Sequence, residues 1–469
     1  MATLFGSLEI GRKSLNASQL ALEVAGNNIA NINTPGYSRQ RAVLQPSLPL
    51  ATGAGLIGTG VDVTSIQGVR DRFIEARLSG VLQSHARQEE IVGYLSQVES
   101  VFDIHASGLQ DSIANFFNSF SSLSQNPESV PYRGNVILAA QNLVSQFQAS
   151  SQQLTTIQRN LDQAVTSAVH EINRLAAGIA SLNQQIFSLE LGGAEANSLR
   201  DERQELLNEL SEWVDIRYYE DESGSVSVSV AAGTIPLVSS VISQPLNTNT
   251  VDPASQLVQV RSATAVLDTR IEGGKLAGFL EVRDRLIPRY LAQLDELASA
   301  VITEVNALHT SGLDLDLNAG INFFDPDPAP VSGAAARIAL NPAIASNPRL
   351  IAAAGGSAAG TGNNETALKL AGLASARVLG GVPPTQTLAD ALGALQFGIG
   401  NDQQDAKQRL NTQSSLLTQL RNQRDSISGV SLDEEAIDLV RFQRAFQAAS
   451  RYISLIDSLT EELMQTLGR

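Results

Sequence analysis

No cysteine occurs in the chain, which removes disulfides, thiolate catalysis and Cys-based zinc sites. Cations are in deficit: 32 Lys and Arg stand against 48 Asp and Glu, a formal charge of -16. That balance argues against sequence-independent nucleic-acid binding, which needs clustered cations to displace counterions from phosphates. No run of about 18 apolar residues occurs, so no membrane-spanning helix and no membrane insertion are expected. Nor does the N-terminus read as a signal peptide. Arg12 and Lys13 follow the first apolar residues, and Asn16, Ser18 and Gln19 interrupt what comes next. The four histidines, His85, His105, His170 and His309, are scattered without a His-x-x-x-His pair, so no metal site and no cofactor are expected. No G-x-S-x-G or Walker sequence is present, which leaves an enzyme without a candidate catalytic centre.

What is there is length and helical pattern. The 469 residues suffice for several packed domains, and 43% hydrophobic with 17% charged content is that of ordinary soluble domains. Proline is excluded from helix interiors, and it is absent before Pro35, between Pro49 and Pro127, between Pro131 and Pro236, and after Pro384. Those stretches are expected to hold most of the helix. In the first, Leu8, Leu15, Leu22 and Ile29 recur every seven residues, with Gly11, Ser18, Ala25 and Ile32 between them. This is a heptad seam with one mostly small row, in which the Leu and Ile supply the burial. In the last, Leu432, Leu439, Phe442, Phe446, Ala449, Ile453, Ile456, Leu463 and Leu467 follow a 3,4 spacing interrupted at Glu435 and Thr460, over a rod of about 54 Å. One such helix at each end implies that the two termini pair; an amphipathic helix lying on a globular core is the alternative.

Between them, Leu154, Ile157, Leu161, Val165, Ala168, Ile172, Leu175, Ile179, Leu182, Ile186 and Leu189 describe one long bundle helix, and Asn197 to Ser211 a second. Shorter runs fall at Ile91 to Phe102, Pro288 to Leu308 and Leu410 to Ile427. Ile216 with Tyr218, then Val226, Val228 and Val230, alternate apolar with polar around a turn-like Asp221 to Ser225, the period of strands. The fold class expected is mainly α with an inserted β-domain, elongated and multi-domain, the terminal helices paired as a coiled coil around a helical-bundle middle domain. The partition expected is 1–40 and 429–469 for the terminal helices and 41–213 and 275–428 for the helical middle, with irregular loops over 311–364. The β-rich insert is 214–274. Asp325 to Pro330 and Gly355 to Asn364, rich in Pro and Gly respectively, read as surface loop.

Two patterns invite a chemical reading. Gly53, Gly55 and Gly58 have the spacing of a dinucleotide fingerprint, but prolines precede them and alternating Val61 and Val63 follow; a turn before a strand fits better than a phosphate loop opening a helix. Asp433, Glu434 and Glu435 resemble paired carboxylates, yet they occupy a first helical turn, where they favour the helix dipole and where Ser431 and Glu434 suit a capping box.

Ala30-Asn31-Ile32-Asn33-Thr34-Pro35-Gly36-Tyr37 resembles the ANxxTxGY signature of flagellar rod, hook and hook-associated proteins. Physically it is a helix stop, since Asn competes for backbone hydrogen bonds, Pro35 blocks continuation and Gly36 permits the turn. Three further segments are similar to the first type of hook-associated protein. They are Gly58 to Val61 leading to Arg70-Asp71-Arg72-Phe73, Asn197 to Arg203, and Gly429 to Glu435 followed by Phe442 to Phe446. Ser198 and Arg200 stand where that family often has Asp and Leu, and Phe446 where Tyr is usual. The resemblance implies a structural subunit without enzymatic activity, built into a ring whose paired terminal helices line a tube. It implies, as partners, further copies of itself, the hook protein, the next hook-associated protein or the filament, and an export chaperone on the last helix. Secretion through the flagellar type III apparatus to the hook–filament junction is implied too. A hook or distal-rod subunit is the alternative within the system, and a secreted enzyme on a flagellar scaffold the alternative outside it. Leu8, Leu15, Leu22 and Ile29 are the expected interface of the first helix. Leu439, Phe442, Phe446, Ile453, Ile456, Leu463 and Leu467 are that of the last, facing neighbouring subunits or the chaperone.

Overall fold

The computed structural model describes residues 2–52, 55–102, 108–193, 195–356 and 360–467. Helix α1 (Ala2–Ala30) opens the chain, and two antiparallel strand pairs follow: β1 (Gln40–Pro46) with β4 (Val61–Gly68), and, at their far end, β2 (Leu50–Thr52) with β3 (Gly55–Ile57). The middle helices are α2 (Arg72–Val101), α3 (Leu109–Gln125), α4 (Val130–Glu190) and α5 (Asn197–Trp213). Strands β5 (Ile216–Glu220), β6 (Val226–Val230), β7 (Ile235–Ser239) and β8 (Ile242–Ser243) form one sheet in sequence order. Strands β9 (Asn247–Val251) and β10 (Val258–Arg261) form a separate pair. Helix α6 (Gly274–Glu281) runs through a π-turn, Val282–Leu286, into α7 (Ile287–Thr310). Short helices α8 (Ala334–Arg337), α9 (Pro342–Ser346) and α10 (Glu365–Gly372) precede the long α11 (Leu388–Ser428) and α12 (Leu432–Leu467).

The axis of the middle region is α4, whose 61 residues make a rod of about 90 Å. It begins upstream of the apolar series because Pro131 sits in its first turn, where a missing N–H costs nothing. Leu154, Leu161, Val165, Ala168, Ile172, Leu175, Ile179 and Ile186 are fully buried along one stripe, whereas Leu189, expected to continue it, is 60% exposed at the helix end. Helices α2 and α11 run antiparallel, joined at His85 and Ser414 (3.1 Å) and at Gln403 and Ser96 (3.0 Å). Two of the shorter helical runs of the sequence lie inside α7 and α11, and the run Ile91 to Phe102 forms the last part of α2, with Phe102 as its cap. A cluster of Phe116, Phe117, Phe120, Phe323 and Phe324, all buried, ties α3 to the segment after α7. The irregular stretch after residue 311 therefore contributes core as well as loop.

The sheet caps the far end of α4. Its inward Val226, Val228 and Val230 alternate with half-buried serines, and Asn183 of α4 clasps it, donating to the carbonyls of Val226 (2.8 Å) and Ser240 (2.6 Å) while accepting from Val226 N–H (3.1 Å). Within residues 41–213, expected as the first part of the helical middle domain, strands β1 to β4 precede the first helix; of these, the strand at Val61 and Val63 was expected. Val43, Val61, Val63 and Ile66 carry the strand preference.

The two ends of the chain form an antiparallel pair. Gly11 lies against Ile453 and Tyr452, and Asn28 against Glu435. The first helix buries its small residues: Gly11, Ala17, Ser18, Ala21, Val24 and Ala25 face inward. Leu8, Leu15, Leu22 and Ile29, expected to supply the burial, are only half-buried. The reason is close approach, since a Cβ on Gly11 would come within 2.6 Å of Ile453, and a large residue in that row would hold the helices apart.

Candidate functional site

On α12, Ala449 and Ile456 are buried, and Leu439, Phe442, Phe446, Ile453 and Thr460 are half-buried on the same face. Leu463, placed by its spacing on this seam, is 44% exposed because it lies beyond the point where α1 begins; the side chain of Leu467 falls outside the described residues. The outward face carries two apolar patches, Ile437 with Val440 and Leu455 with Leu459, between 42% and 68% exposed, separated by exposed Arg444 and Arg451. The terminal pair thus satisfies one stripe of α12 and leaves another open.

Below the seam lies a polar lock. Asn28, 1% exposed, donates to the Gln40 carbonyl (2.9 Å) and to Glu435 Oε2 (3.0 Å), and its Oδ1 accepts from Gln40 N–H (2.9 Å) and the Tyr37 hydroxyl (2.8 Å). Arg39 closes it from the other side, pairing with Glu435 (2.6 Å) and Glu434 (2.7 Å). Burial, and after it the charges of Asp201 and Glu435, push the Tyr37 phenol up to about 12, so it stays a hydrogen-bond donor. The helix-stop motif supplies the geometry. Asn31 bonds back to Asn27, Thr34 donates to Asn31, and Gly36 at φ +76° turns the chain so that Tyr37 returns to Asn27 and Asn28. Ala30 is exposed on the helix end and makes no part of the lock.

The motif residues therefore act together, but Asn28, Arg39 and Glu435 are the members sequence reasoning missed. Glu435 had a signal, as the charge that interrupts an apolar seam. The acidic first turn of α12 is satisfied by an arginine across the interface, in addition to the helix dipole on which its sequence reading rested.

The other two resemblance segments meet beside this lock. Asp71 caps α2, accepting from Phe73 N–H (2.9 Å) and Ile74 N–H (3.2 Å). Arg70 pairs with Asp201, donates to Ser38 (2.9 Å) and to the Arg200 carbonyl (3.0 Å), and so links the loop after α1 to α5. Asn197 brackets the end of β4, at Ile66 and Gly68. Arg200 binds Glu190 (2.7 Å) and Glu220, and Arg203 binds Asn183 (2.8 Å), the Gly224 carbonyl (2.7 Å) and Glu220 (3.0 Å). Arg70, Asn197, Arg200, Asp201, Arg203 and Glu220 line a cavity of about 540 Å³. Glu75, 7% exposed, lies between it and the Gly36–Ser38 turn, and burial raises its carboxyl above the usual range against the pull of Arg424 and Arg70. This is a joint: bundle and sheet share an apolar core, and the segment after the terminal helix is fastened to them through arginine–carboxylate pairs.

Other sequence candidates are not brought together. His309 is fully buried, bonded at Nδ1 to the Ile321 carbonyl (2.5 Å) and at Nε2 to Ala352 N–H (2.8 Å). His170 is exposed, His85 faces Ser414, and His105 lies outside the described residues. No group of three acidic or histidine side chains suits a metal among the described residues. Gly55 and Gly58 belong to the β2–β3 hairpin and the turn that follows it, and Gly53 is outside the described residues.

The architecture has relatives. Residues 95–324 match the family model described as the flagellar hook-associated protein FlgK helical domain. Residues 8–37 match that of the flagella basal body rod protein, and residues 421–466 that of the flagellar basal body rod FlgEFG protein C-terminal region. Flagellar hook-associated protein 1 of Bacillus subtilis (strain 168) is 30% identical over 100% of this chain and 99% of its own length. That of Escherichia coli (strain K12) is 27% identical over 96% and 97%. The structure of the flagellar hook junction protein FlgK from Burkholderia pseudomallei superposes with a TM-score of 0.67, at 17% identity, over 75% of this chain and 100% of that one; it shares the fold. With an end-to-end relative at this identity and terminal helices paired as the sequence required, the chain belongs to the flagellar hook-associated protein 1 family.

Proposed function

We propose that this chain is a structural ring subunit at the junction between hook and filament of the bacterial flagellum, where its terminal helices line the tube and its bundle and sheet stand outside. The observation that carries the reading is the half-finished terminal pair. One face of α12 is satisfied by α1, while Ile437, Val440, Leu455 and Leu459 are left for something outside the chain. Exposed apolar surface of this kind marks an interaction site. The match of the middle region to a hook-associated helical domain, with rod-type matches only at the two ends, favours a junction subunit over a hook or rod subunit.

The ring's neighbours on this reading are the hook protein on one side and the next hook-associated protein or the filament on the other. Half-buried Leu8, Leu15, Leu22 and Ile29 of α1 and exposed Ile437, Val440, Leu455, Leu459 and Leu463 of α12 then form the subunit interface, while Leu439, Phe442, Phe446, Ile453 and Ile456 face α1 of the same chain, and a chaperone covers α12 before assembly. Export runs through the flagellar type III apparatus, and the work of the chain is mechanical, not catalytic. Electron microscopy of cells lacking the chain tests this. Complete hooks without filaments are expected; filaments of normal length on such cells would refute it.

A further inference from the structure

The hairpin between β1 and β4 is the least explained part of the terminal region. From Ser47 to Gly60 it has no charged side chain, and Leu48, Leu50, Leu56 and Ile57 are between 51% and 89% exposed. An isolated two-stranded hairpin is marginal in water, and this one is held at its base: Lys13 of α1 donates to Ser47 (3.0 Å) and pairs with Asp62 (2.9 Å), and Gly60 lies against Ile10 and Lys13. The base is fixed, and Leu48, Leu50, Leu56 and Ile57 beyond it are exposed.

Its position relative to α12 suggests the missing partner. On α1, Ile10 and Lys13 lie roughly 100° to 160° around the helix from Gly11, and Gly11 faces Ile453 and Tyr452 of α12. The first helix is thus a middle layer with the hairpin on one side and α12 on the other. On α12 the open residues Ile437 and Leu455 stand about 160°, and Leu459 about 120°, around the helix from Ile453 by the same helical arithmetic. The two uncovered apolar surfaces therefore lie on opposite flanks of one terminal unit. They are unlike in shape, one a flat hairpin and the other a helical ridge. Unlike surfaces on opposite flanks make head-to-tail contacts, and a head-to-tail contact closes into a ring when its rotation permits. A self-complementary pair would instead use one surface twice.

We infer that the Ser47–Gly60 hairpin of each copy docks on the outward stripe of α12 in the adjacent copy, so that the ring is sealed by hairpin-to-helix contacts repeated around its circumference. This rests on the ring-subunit reading above and names the contact that makes it.

The absence of native cysteine allows a clean test. Two single variants, Leu56→Cys and Leu455→Cys, are co-expressed in cells that assemble flagella, and the isolated hook–filament junctions are oxidised. A mixed disulfide dimer carrying one copy of each variant is expected, with neither variant cross-linking when alone. As a reference, a chain carrying Gly11→Cys and Ile453→Cys, positions that face each other across the pair, reports on α1–α12 pairing. Assembled junctions in which the reference pair closes and the hairpin pair does not would overturn the contact. Cross-linking of Leu56→Cys to the hook protein or to a filament-side protein would overturn it too. Replacing Leu48 and Leu56 by Asp gives a second readout: at least tenfold fewer junctions with an unchanged circular dichroism spectrum are expected. Normal junctions from that variant would sink the hairpin contact while leaving the ring-subunit reading standing, which fails only if cells without the chain still make filaments.

Discussion

Asn28 does more for the terminal pair than any leucine of its seam. A buried amide with four short polar contacts fixes three segments at once: the helix that carries it, the loop that returns at Tyr37 and Gln40, and the first turn of α12 through Glu435. Replacing Asn28 by Ala leaves the Gln40 backbone groups unpaired and Glu435 with Arg39 alone, a loss of about 2–4 kcal/mol. Thermal melting of the purified chain should then show the terminal helices separating at lower temperature while the bundle transition stays in place. A single unshifted transition would show that the lock does not hold them. Half of this cluster was legible in the sequence. Asn31, Thr34, Gly36 and Tyr37 form a recognisable helix stop, and Glu435 visibly breaks a seam. Asn28 and Arg39 gave no sign, because a polar residue next to a helix end is common, and only the antiparallel register brings it to a carboxylate 407 positions away.

At the scale of elements, helices were easier to read than their burial. The α4 series predicted both the helix and its inward face, since a long rod packed on several sides needs a continuous stripe. In α1 the periodicity was right but the buried row was the small one, because helix packing distance, which a hydrophobicity pattern does not carry, decides between rows. The half-buried Leu15 and Leu22 are then free for a neighbour. The double variant Leu15→Asp, Leu22→Asp is expected to keep the bundle's circular dichroism and to lose incorporation, since a charge buried in an interface without a partner costs several kcal/mol; wild-type levels of incorporation would contradict it.

Of the strands between α1 and α2, β4 was legible in the alternation of Val61 and Val63, whereas β1, whose register shifts between Val43 and Leu44, was not. The segment after α7 holds a different device. Burial lowers the His309 imidazole to about 4, and its two ring nitrogens bridge Ile321 and Ala352 in the neutral form. Below the ordinary value near 6.5 the unfolded chain binds a proton that the folded chain refuses. Stability contributed by His309 is therefore complete above about pH 6.5 and is lost as pH falls toward 4, by roughly 3 kcal/mol in all. A His309→Gln variant should be less stable at pH 7.5 yet lose less stability than the parent between pH 6.5 and 4.5 in urea titrations. Parallel losses would rule out this role.

For the molecule as a whole, the division of labour follows from how each part is held. Middle helices share an apolar core rich in Leu, Val and Phe, the joint beside Glu75 is held by ion pairs, and the terminal pair is one stripe deep with its other faces open. Order should fall in that sequence, since local stability follows the buried apolar contact of each unit, and an isolated amphipathic pair is marginal without further partners. The measurement that bears most directly on this is amide hydrogen exchange on the free chain and on assembled junctions. Residues 2–30 and 432–467 should exchange much faster than α4 in the free chain and become protected on assembly, by a hundredfold or more. Protection of both termini equal to that of α4 in the free chain, unchanged by assembly, would contradict the claim that neighbouring copies complete them.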